Sequence, residues 1–275
     1  MIRYPIVVAD LDGTLFNQEH TMSRFTQETV QWLITQGVHF IFATGRHTLD
    51  VQCIQKKLGV CCFMITANGA RVHDNLGNLL FKQDISTTIT HHLLQLVPIA
   101  QGIITSAYHD SGWFINSAVP DLEQFHRDSL FHYDLFPTNL QNLPPLCKVF
   151  YLGAHEALIP LERAIHADWG DQVNVTFSQK NCLEVMASTV SKGCALQRVL
   201  AHPLFASQQY TLKDCIAFGD GMNDLELLTM AGKGCMMANS VQRLKESLPE
   251  LEMIGDHQED AVAHYLRNQF FYSDI

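Results

Sequence analysis

A chain of 275 residues with 47% hydrophobic side chains can bury a large core, as one domain or as two modest ones. Charged residues make up only 17%, which excludes a disordered chain, and a formal net charge of −10 argues against nucleic-acid binding, which needs clustered Lys and Arg. An anion bound by so acidic a protein must be met locally, by a metal, a helix N-terminus or one or two placed cations.

Residues 6–10, IVVAD, form a short continuous apolar run, the pattern of a strand covered on both faces. Residues 23–36 carry Phe25, Val30, Leu33 and Ile34 at helical spacing, with Ser23 as N-cap and Gly37 as stop. VHFIFATG is a second buried strand, His47 to Leu58 a helix closed by Gly59, and CCFMIT a third strand ending at Asn68-Gly69. This β-α-β-α-β series predicts a parallel sheet with right-handed crossovers. The rhythm then changes. RVHDNLGNLLF reads as a hairpin, 86–97 as a helix, and ITSAYHDSGWFINS as a hairpin around Asp110-Ser111-Gly112. Helices are expected over 121–130 and 154–168, with KVFYLG, VNVTFS and CLEVMA as strands. From residue 190 the first rhythm returns, with helix, strand and helix repeating to the end. The fold expected is therefore α/β, with a Rossmann-like parallel-sheet core of residues 1–83 and 188–275 and an inserted α+β domain of residues 84–187.

Eight cysteines, at 53, 61, 62, 147, 182, 194, 215 and 235, form no C-x-x-C pair and read as buried reduced thiols. The 14 histidines, His91-His92 included, show no metal-binding spacing, and most are read as surface residues. The opening MIRYPIVVAD lacks a signal-peptide pattern, and no apolar run approaches the roughly 18 residues of a membrane span. A cytoplasmic protein is expected.

Two acidic clusters carry the chemistry. Asp10 and Asp12, two apart, emerge on one side of the strand if it persists that far, where Gly13 lets the chain turn. In open parallel sheets that end is where ligands bind. Adjacent carboxylates repel, so the pair needs a divalent metal or a split into an ionised nucleophile and a protonated acid. AFGDGMNDLELL repeats the setting with Asp220, Asn223 and Asp224. Oxygen ligands from two strand ends suit a hard cation such as magnesium, although Asp220 and Asn223 also fit a turn and a helix cap. ATGRH offers a phosphate the Thr44 hydroxyl and the Gly45 backbone, and Lys192 opens the helix after the insertion, as a site cation or a surface lysine.

DLDGTL, Thr44-Gly45-Arg46, Ser191-Lys192-Gly193 and GDGMND, in that order, resemble the four motifs of the haloacid dehalogenase superfamily of phosphatases. The insertion between the second and third motifs, with TANGARVHD, DSGWF and CLEVMA, resembles the Cof-type branch that carries a C2-type (IIB) cap. The resemblance implies a HAD core with a C2B cap and Asp10 as nucleophile, forming an aspartyl-phosphate. Asp12 would be the acid that protonates the leaving alcohol and the base that then activates water. It implies Mg2+ on the Asp10 carboxylate, the Asp12 carbonyl and Asp220, with Asp224 one step behind. Leu11, Thr44, Gly45 and Lys192 would bind the phosphoryl group, and Asn223 would orient Lys192 or touch the phosphate. Asn68 and Gly69 form a turn or reach the site. Arg46 reaches substrate or caps its helix, and Glu184 reaches the leaving group. Trp113 and Phe114 are expected to pack the cap, whereas Tyr108, His109 and Asp110 line a specificity pocket.

The substrates implied are small phosphate monoesters, pyridoxal 5'-phosphate and sugar phosphates first, with hydroxymethylpyrimidine diphosphate or flavin mononucleotide as alternatives. A phosphotransferase or mutase, or a non-catalytic metabolite-binding protein, are the rival classes. The partner expected is a small phosphorylated metabolite, with no nucleic acid and no membrane, on a monomer or weak homodimer.

Overall fold

The computed structural model describes residues 3–96, 102–119 and 131–271, so the helix expected over 121–130 lies outside the described residues. Strands β1 (Ile6–Ala9), β2 (His39–Ala43) and β3 (Phe63–Thr66) alternate with helices α1 (Arg24–Thr35) and α2 (Thr48–Leu58). Ser23 caps α1 by accepting from the Thr26 N–H, and Gly59 closes α2 in the left-handed conformation. The hairpin β4 (Arg71–His73) and β5 (Leu79–Lys82) follows as an antiparallel edge.

After a long excursion the chain returns with β12 (Cys215–Gly219), β13 (Lys233–Met236) and β14 (Glu252–Met253), as the second rhythm predicts. The eight strands run in the order β14-β13-β12-β1-β2-β3-β4-β5, parallel from β14 to β3. Because β1 is apolar at every position, it feeds both faces. Val7 and Ala9 join Phe40 and Phe42 in one layer, whereas Ile6 and Val8 join Ile41 and Ala43 in the other. Each such fully buried Val or Ile contributes about 1.5–3 kcal/mol. The first layer packs on α1 and α9 (Ala261–Phe271) and the second on α5 (Lys192–Leu200) and α7 (Leu225–Met230). Helices α6 (Pro203–Ala206) and α8 (Gln242–Ser247) complete the second layer.

The excursion builds a second sheet of six strands in the order β10-β11-β9-β6-β7-β8. They are β6 (Ile104–His109), β7 (Gly112–Ile115), β8 (Tyr133–Leu135), β9 (Leu146–Leu152), β10 (Val173–Gln179) and β11 (Cys182–Ala187). Strand β8, three residues with little hydrophobic signal, is not legible in the sequence; it runs parallel to β7. One face of this sheet carries α3 (Thr87–Gln95) and α4 (His155–Trp169) over an aliphatic core. The other face is aromatic, with Tyr108, Trp113, Phe131 and Phe150 joined by Ala67 and Ala70 from the end of β3. That aromatic face overlooks the carboxyl ends of the parallel strands. No described helix is long and apolar enough to cross a membrane.

All eight cysteines are free, but Cys61 is exposed and Cys53 and Cys194 are half-buried, so the buried reading fails for those three. They lie beyond the apolar stripes, on a helix flank (Cys53), in the loop before β3 (Cys61) and on the outer face of α5 (Cys194). Among the described histidines only His47 and His73 are buried, so the surface expectation holds for most of them.

Candidate active site

Asp10 follows β1 directly, at the carboxyl edge of the sheet. Its Oδ1 accepts from the Leu11 N–H at 2.7 Å, and its Oδ2 lies 3.0 Å from Lys192 Nζ. Lys192 is fully buried, which rules out the surface-lysine reading, and it donates to Asp224 Oδ1 at 2.7 Å. Ser191 caps α5 by accepting from the Cys194 N–H, so the helix start delivers Lys192 to Asp10 and Asp224. Asp224 Oδ2 accepts from the N–H groups of Asp220 and Gly221, both at 3.0 Å. The turn-and-cap reading is therefore true of Asp224, which caps its turn and also holds Lys192. The Thr14 hydroxyl donates to Asp220 at 3.0 Å. Gly13, at φ +75°, lies so close that a Cβ there would fall 2.4 Å from Asp220 Oδ2.

Asp12 belongs to a different set. The strand ends at Ala9, and the Asp12 carboxylate takes a two-point bond from Arg46 Nε and Nη2, each at 2.6 Å, and one from His20 Nδ1 at 3.0 Å. Arg46 also donates to Asp50 at 2.8 Å. The helix-cap expectation for Arg46 is corrected, because His47 caps α2; Arg46 lines the cleft with its guanidinium bonded to two carboxylates.

The two aspartates are pushed apart. Burial raises Asp10 to about 8 against the opposing pull of Lys192, with repulsion from Asp224 and Asp12 adding to it. Asp220 is raised as well, by burial and by Asp10 and Asp224. Burial would also raise Asp12, but the Arg46 charge and its hydrogen bonds outweigh it, and Asp12 ends well below the usual carboxylate range. Lys192 is raised, its two carboxylates overcoming burial. Among protein groups alone, the split runs opposite to the one expected, which put the ionised member at Asp10.

Asp10, Asp220 and Asp224 each bring one oxygen within 4.8 Å of the others. An all-oxygen, acidic donor set of this kind fits a hard divalent cation, which would relieve the repulsion that raises Asp10 and Asp220. All three carboxylates already accept hydrogen bonds, Asp224 through both oxygens from Lys192 and two N–H groups, Asp10 through both from Leu11 and Lys192, and Asp220 from Thr14. The Asp12 carboxylate lies outside this group, so any metal role for Asp12 rests on its backbone carbonyl.

Thr44 and Gly45 line the mouth of the cleft beside Asp10. The Thr44 hydroxyl accepts from the Arg46 N–H at 3.1 Å. Asn223 does not orient Lys192. Its Nδ2 donates to Asn68 Oδ1 at 3.1 Å, while Asp224 performs the expected task. Gly69 is corrected to a packing role, since a Cβ there would lie 2.4 Å from the Ser191 carbonyl oxygen. Glu184 reaches the cleft as expected, but it is paired with Lys148 at 2.7 Å and accepts from Asn68 Nδ2.

The cleft has a volume of about 510 Å3. Its floor is Asp10, Asp12, Thr44 and Arg46, and its roof is Tyr108, Trp113, Phe150 and Lys148. Trp113 both packs the cap and lines this space, whereas Phe114 stacks on His109 and faces the aliphatic core. His109 and Asp110 are corrected out of the pocket: they line a separate cavity of about 240 Å3, and Asp110 pairs with Arg71 and Lys82. The His109 carbonyl accepts from His47 Nε2 at 2.6 Å, while His47 Nδ1 accepts from the Leu49 N–H. Burial lowers His47 to about 4, in keeping with that neutral tautomer.

Sequence reasoning missed His20 and Lys148. His20 gives no local signal. Lys148, one charge in an otherwise apolar strand, does, because a lysine buried in a sheet must have a partner.

This geometry matches known proteins. The haloacid dehalogenase-like hydrolase family matches over residues 7–266. The chain is 42% identical over 266 residues to a protein of Haemophilus influenzae, covering 96% of each. It is 36% identical over 265 residues to the HMP-PP phosphatase of Yersinia pestis (strain Pestoides F), covering 96% of this chain and 95% of that one. Among solved structures, a haloacid dehalogenase-like hydrolase from B. subtilis superposes with a TM-score of 0.83 at 20% identity, covering 96% of this chain and 99% of that one. A subclass IIB sugar phosphatase of the superfamily superposes with a TM-score of 0.75 at 16% identity, covering 96% and 98%. The chain belongs to the haloacid dehalogenase-like hydrolases. Within that family it is a phosphatase.

Proposed function

We propose that the protein is a magnesium-dependent phosphatase that hydrolyses small phosphate monoesters through an aspartyl-phosphate on Asp10. The observation that carries this reading is the buried cation Lys192, held between Asp10 at 3.0 Å and Asp224 at 2.7 Å beside Asp220. A carboxylate, a cation and an oxygen-donor set held together at the strand ends support the roles of nucleophile, phosphate binder and metal ligands. When bound between Asp10 and Asp220, Mg2+ would neutralise charge on the carboxylate and on the phosphoryl oxygens.

Asp10 then attacks phosphorus while Lys192 and the Thr44–Gly45 loop hold the phosphoryl oxygens. Asp12 gives a proton to the departing alcohol and takes one from the water that cleaves the intermediate. Arg46 keeps Asp12 ionised until the substrate enters. The incoming phosphate charge pushes Asp12 back up, towards the protonated form an acid needs. Asp12 also favours hydrolysis over transfer to a second sugar.

The roof supports an aromatic leaving group. Tyr108, Trp113 and Phe150 offer ring faces and edges, and the Lys148 charge is neutralised by Glu184. Pyridoxal 5'-phosphate suits these rings, whereas a sugar phosphate would turn its hydroxyls to Ser178, Gln179 and Asn181, which line the same cleft. The name of the Yersinia relative points to a pyrimidine diphosphate. Its ring suits the same roof, but its second phosphate finds no unpaired cation on Lys148. The reading includes a cytoplasmic enzyme acting on a small metabolite as a monomer or weak homodimer.

The test is kcat/KM with magnesium across pyridoxal phosphate, hexose phosphates, flavin mononucleotide and hydroxymethylpyrimidine diphosphate, with Asp10→Asn as blank. Pyridoxal phosphate should lead. Turnover that survives in Asp10→Asn would remove the mechanism, and a hexose phosphate in the lead would remove the aromatic reading of the roof.

A further inference from the structure

Three successive residues at the end of β3 have positive φ: Ala67 at 46°, Asn68 at 55° and Gly69 at 102°. This conformation is unfavourable for alanine, so the surroundings must hold it. The turn is bonded to the neighbouring loop, with Asn68 N–H donating to the Thr44 carbonyl at 3.0 Å and Ala67 N–H to the Arg46 carbonyl at 2.9 Å. The Asn68 side chain is buried between the two domains. Its Oδ1 accepts from Asn223, and its Nδ2 donates to Glu184 on β11. Glu184 takes a charged hydrogen bond from Lys148 on β9 at 2.7 Å. Lys148 Nζ donates in turn to the Gly45 carbonyl at 2.6 Å. A continuous path therefore runs from the 221–224 loop through Asn68, Glu184 and Lys148 to Gly45, and its two charged members come from the cap.

Lys148 is fully committed in this arrangement. Besides its two hydrogen bonds, its ammonium lies 4.6 Å from the Tyr108 ring centre and 4.7 Å from that of Phe150. A buried ion pair of this kind costs desolvation and is a weak source of stability, which directs attention to what it positions.

We propose that Lys148 and Glu184 are positioning residues: the docked cap, through their ion pair, sets the Gly45 carbonyl and the strained Asn68 turn, and so completes the phosphoryl site on the core. This rests on the reading above that the Thr44–Gly45 loop binds the phosphoryl group. It makes oxyanion binding, and not only leaving-group recognition, depend on two residues of the cap.

The experiment compares wild type with Lys148→Met, Glu184→Gln and the double variant. The single variants leave one buried charge unpaired and lower the thermal midpoint; the double variant removes both charges and recovers much of it. The first readout is amide hydrogen exchange of residues 44–46 and 67–69 without substrate. All three variants should exchange roughly tenfold faster there, although the substitutions lie in the cap. The second is inhibition by orthovanadate, an oxyanion with no leaving group, whose Ki should rise roughly tenfold in all three. Unchanged exchange and an unchanged vanadate Ki, with a raised KM only for bulky leaving groups, would overturn the proposal. So would a double variant that restores exchange and vanadate binding along with the thermal midpoint, since the pair would then be purely structural. A wild type that hydrolyses no phosphate ester would sink the phosphatase reading, whereas the exchange comparison needs no turnover and stands by itself.

Discussion

The floor and the roof of the cleft are built from different physics. The floor is charged and buried, and its members sit within one or two residues of parallel strand ends: Asp10 after β1, Thr44 after β2, Asp220 after β12. The Asp10, Asp12 and Asp224 carboxylates are matched to a cation, Asp224 also to backbone N–H groups, and Asp220 accepts from the Thr14 hydroxyl. The roof is aromatic, and the one lysine among its described residues, Lys148, is cancelled by Glu184. The floor can therefore act on any phosphoryl group, and the roof can only select what the phosphoryl group is attached to. This is why family membership states the reaction without stating the substrate.

Substitutions should separate the two regions. The largest effect belongs to Asp10→Asn, which removes the nucleophile and should cut kcat by about 10⁴-fold or more. Single-turnover measurements would then detect no phosphoenzyme. Lys192→Met should lower kcat/KM by about 10²–10³-fold. It also strands Asp10 and Asp224, so unfolding by denaturant should report a loss of about 3–5 kcal/mol. Both effects should be the same for every substrate, which makes them tests of the floor.

Arg46→Met should cost about tenfold to a hundredfold in kcat by freeing Asp12 from the geometry that its two-point bond imposes. It also carries a pH signature. Arg46 holds Asp12 ionised well below the usual carboxylate range. A general acid must carry its proton in the first step, so without Arg46 the alkaline limb of the kcat/KM profile should move to higher pH, and a limb that stays in place would assign that ionisation to another group.

The roof should respond selectively. Trp113→Leu or Phe150→Leu should lower kcat/KM for pyridoxal phosphate by about tenfold, the scale of one or two lost ring contacts, and by far less for glucose 6-phosphate. Equal losses would mean that these rings hold the cap together and read nothing.

The smallest effect concerns stability. Burial raises Asp10 from 3.8 to about 8, so the folded protein binds a proton there that the unfolded chain has released. That contribution is full below the unfolded value and is lost as pH rises through about 8. In chelator, the melting temperature should therefore fall by about 2–4 °C or more between mildly acidic and mildly alkaline pH. Asp10→Asn should flatten the slope, and magnesium should reverse it.

Much of this molecule was legible in its sequence. The apolar runs of β1, β2, β3 and β12 read as doubly covered strands because every position of each is buried, His39 at the start of β2 excepted. Asp10, Thr44 and Asp220 read as site residues because parallel strands bring their carboxyl ends to one edge, whatever lies between them in the chain. The short strand β8 escaped because three residues carry too little periodicity.

Pairing across distance was a different matter. That Arg46 grips Asp12, that Asp224 and not Asn223 holds Lys192, and that Lys148 meets Glu184 and Gly45 depend on contacts between residues 32 to 103 positions apart. No local pattern encodes such distances. Sequence alone determined which strand-end groups, Asp10 and Thr44 among them, reach the cleft, since strand direction and burial are local consequences of residue type. Only the tertiary structure decided which charge faces which, because in a buried site each pairing is chosen by the neighbours that remain to satisfy it.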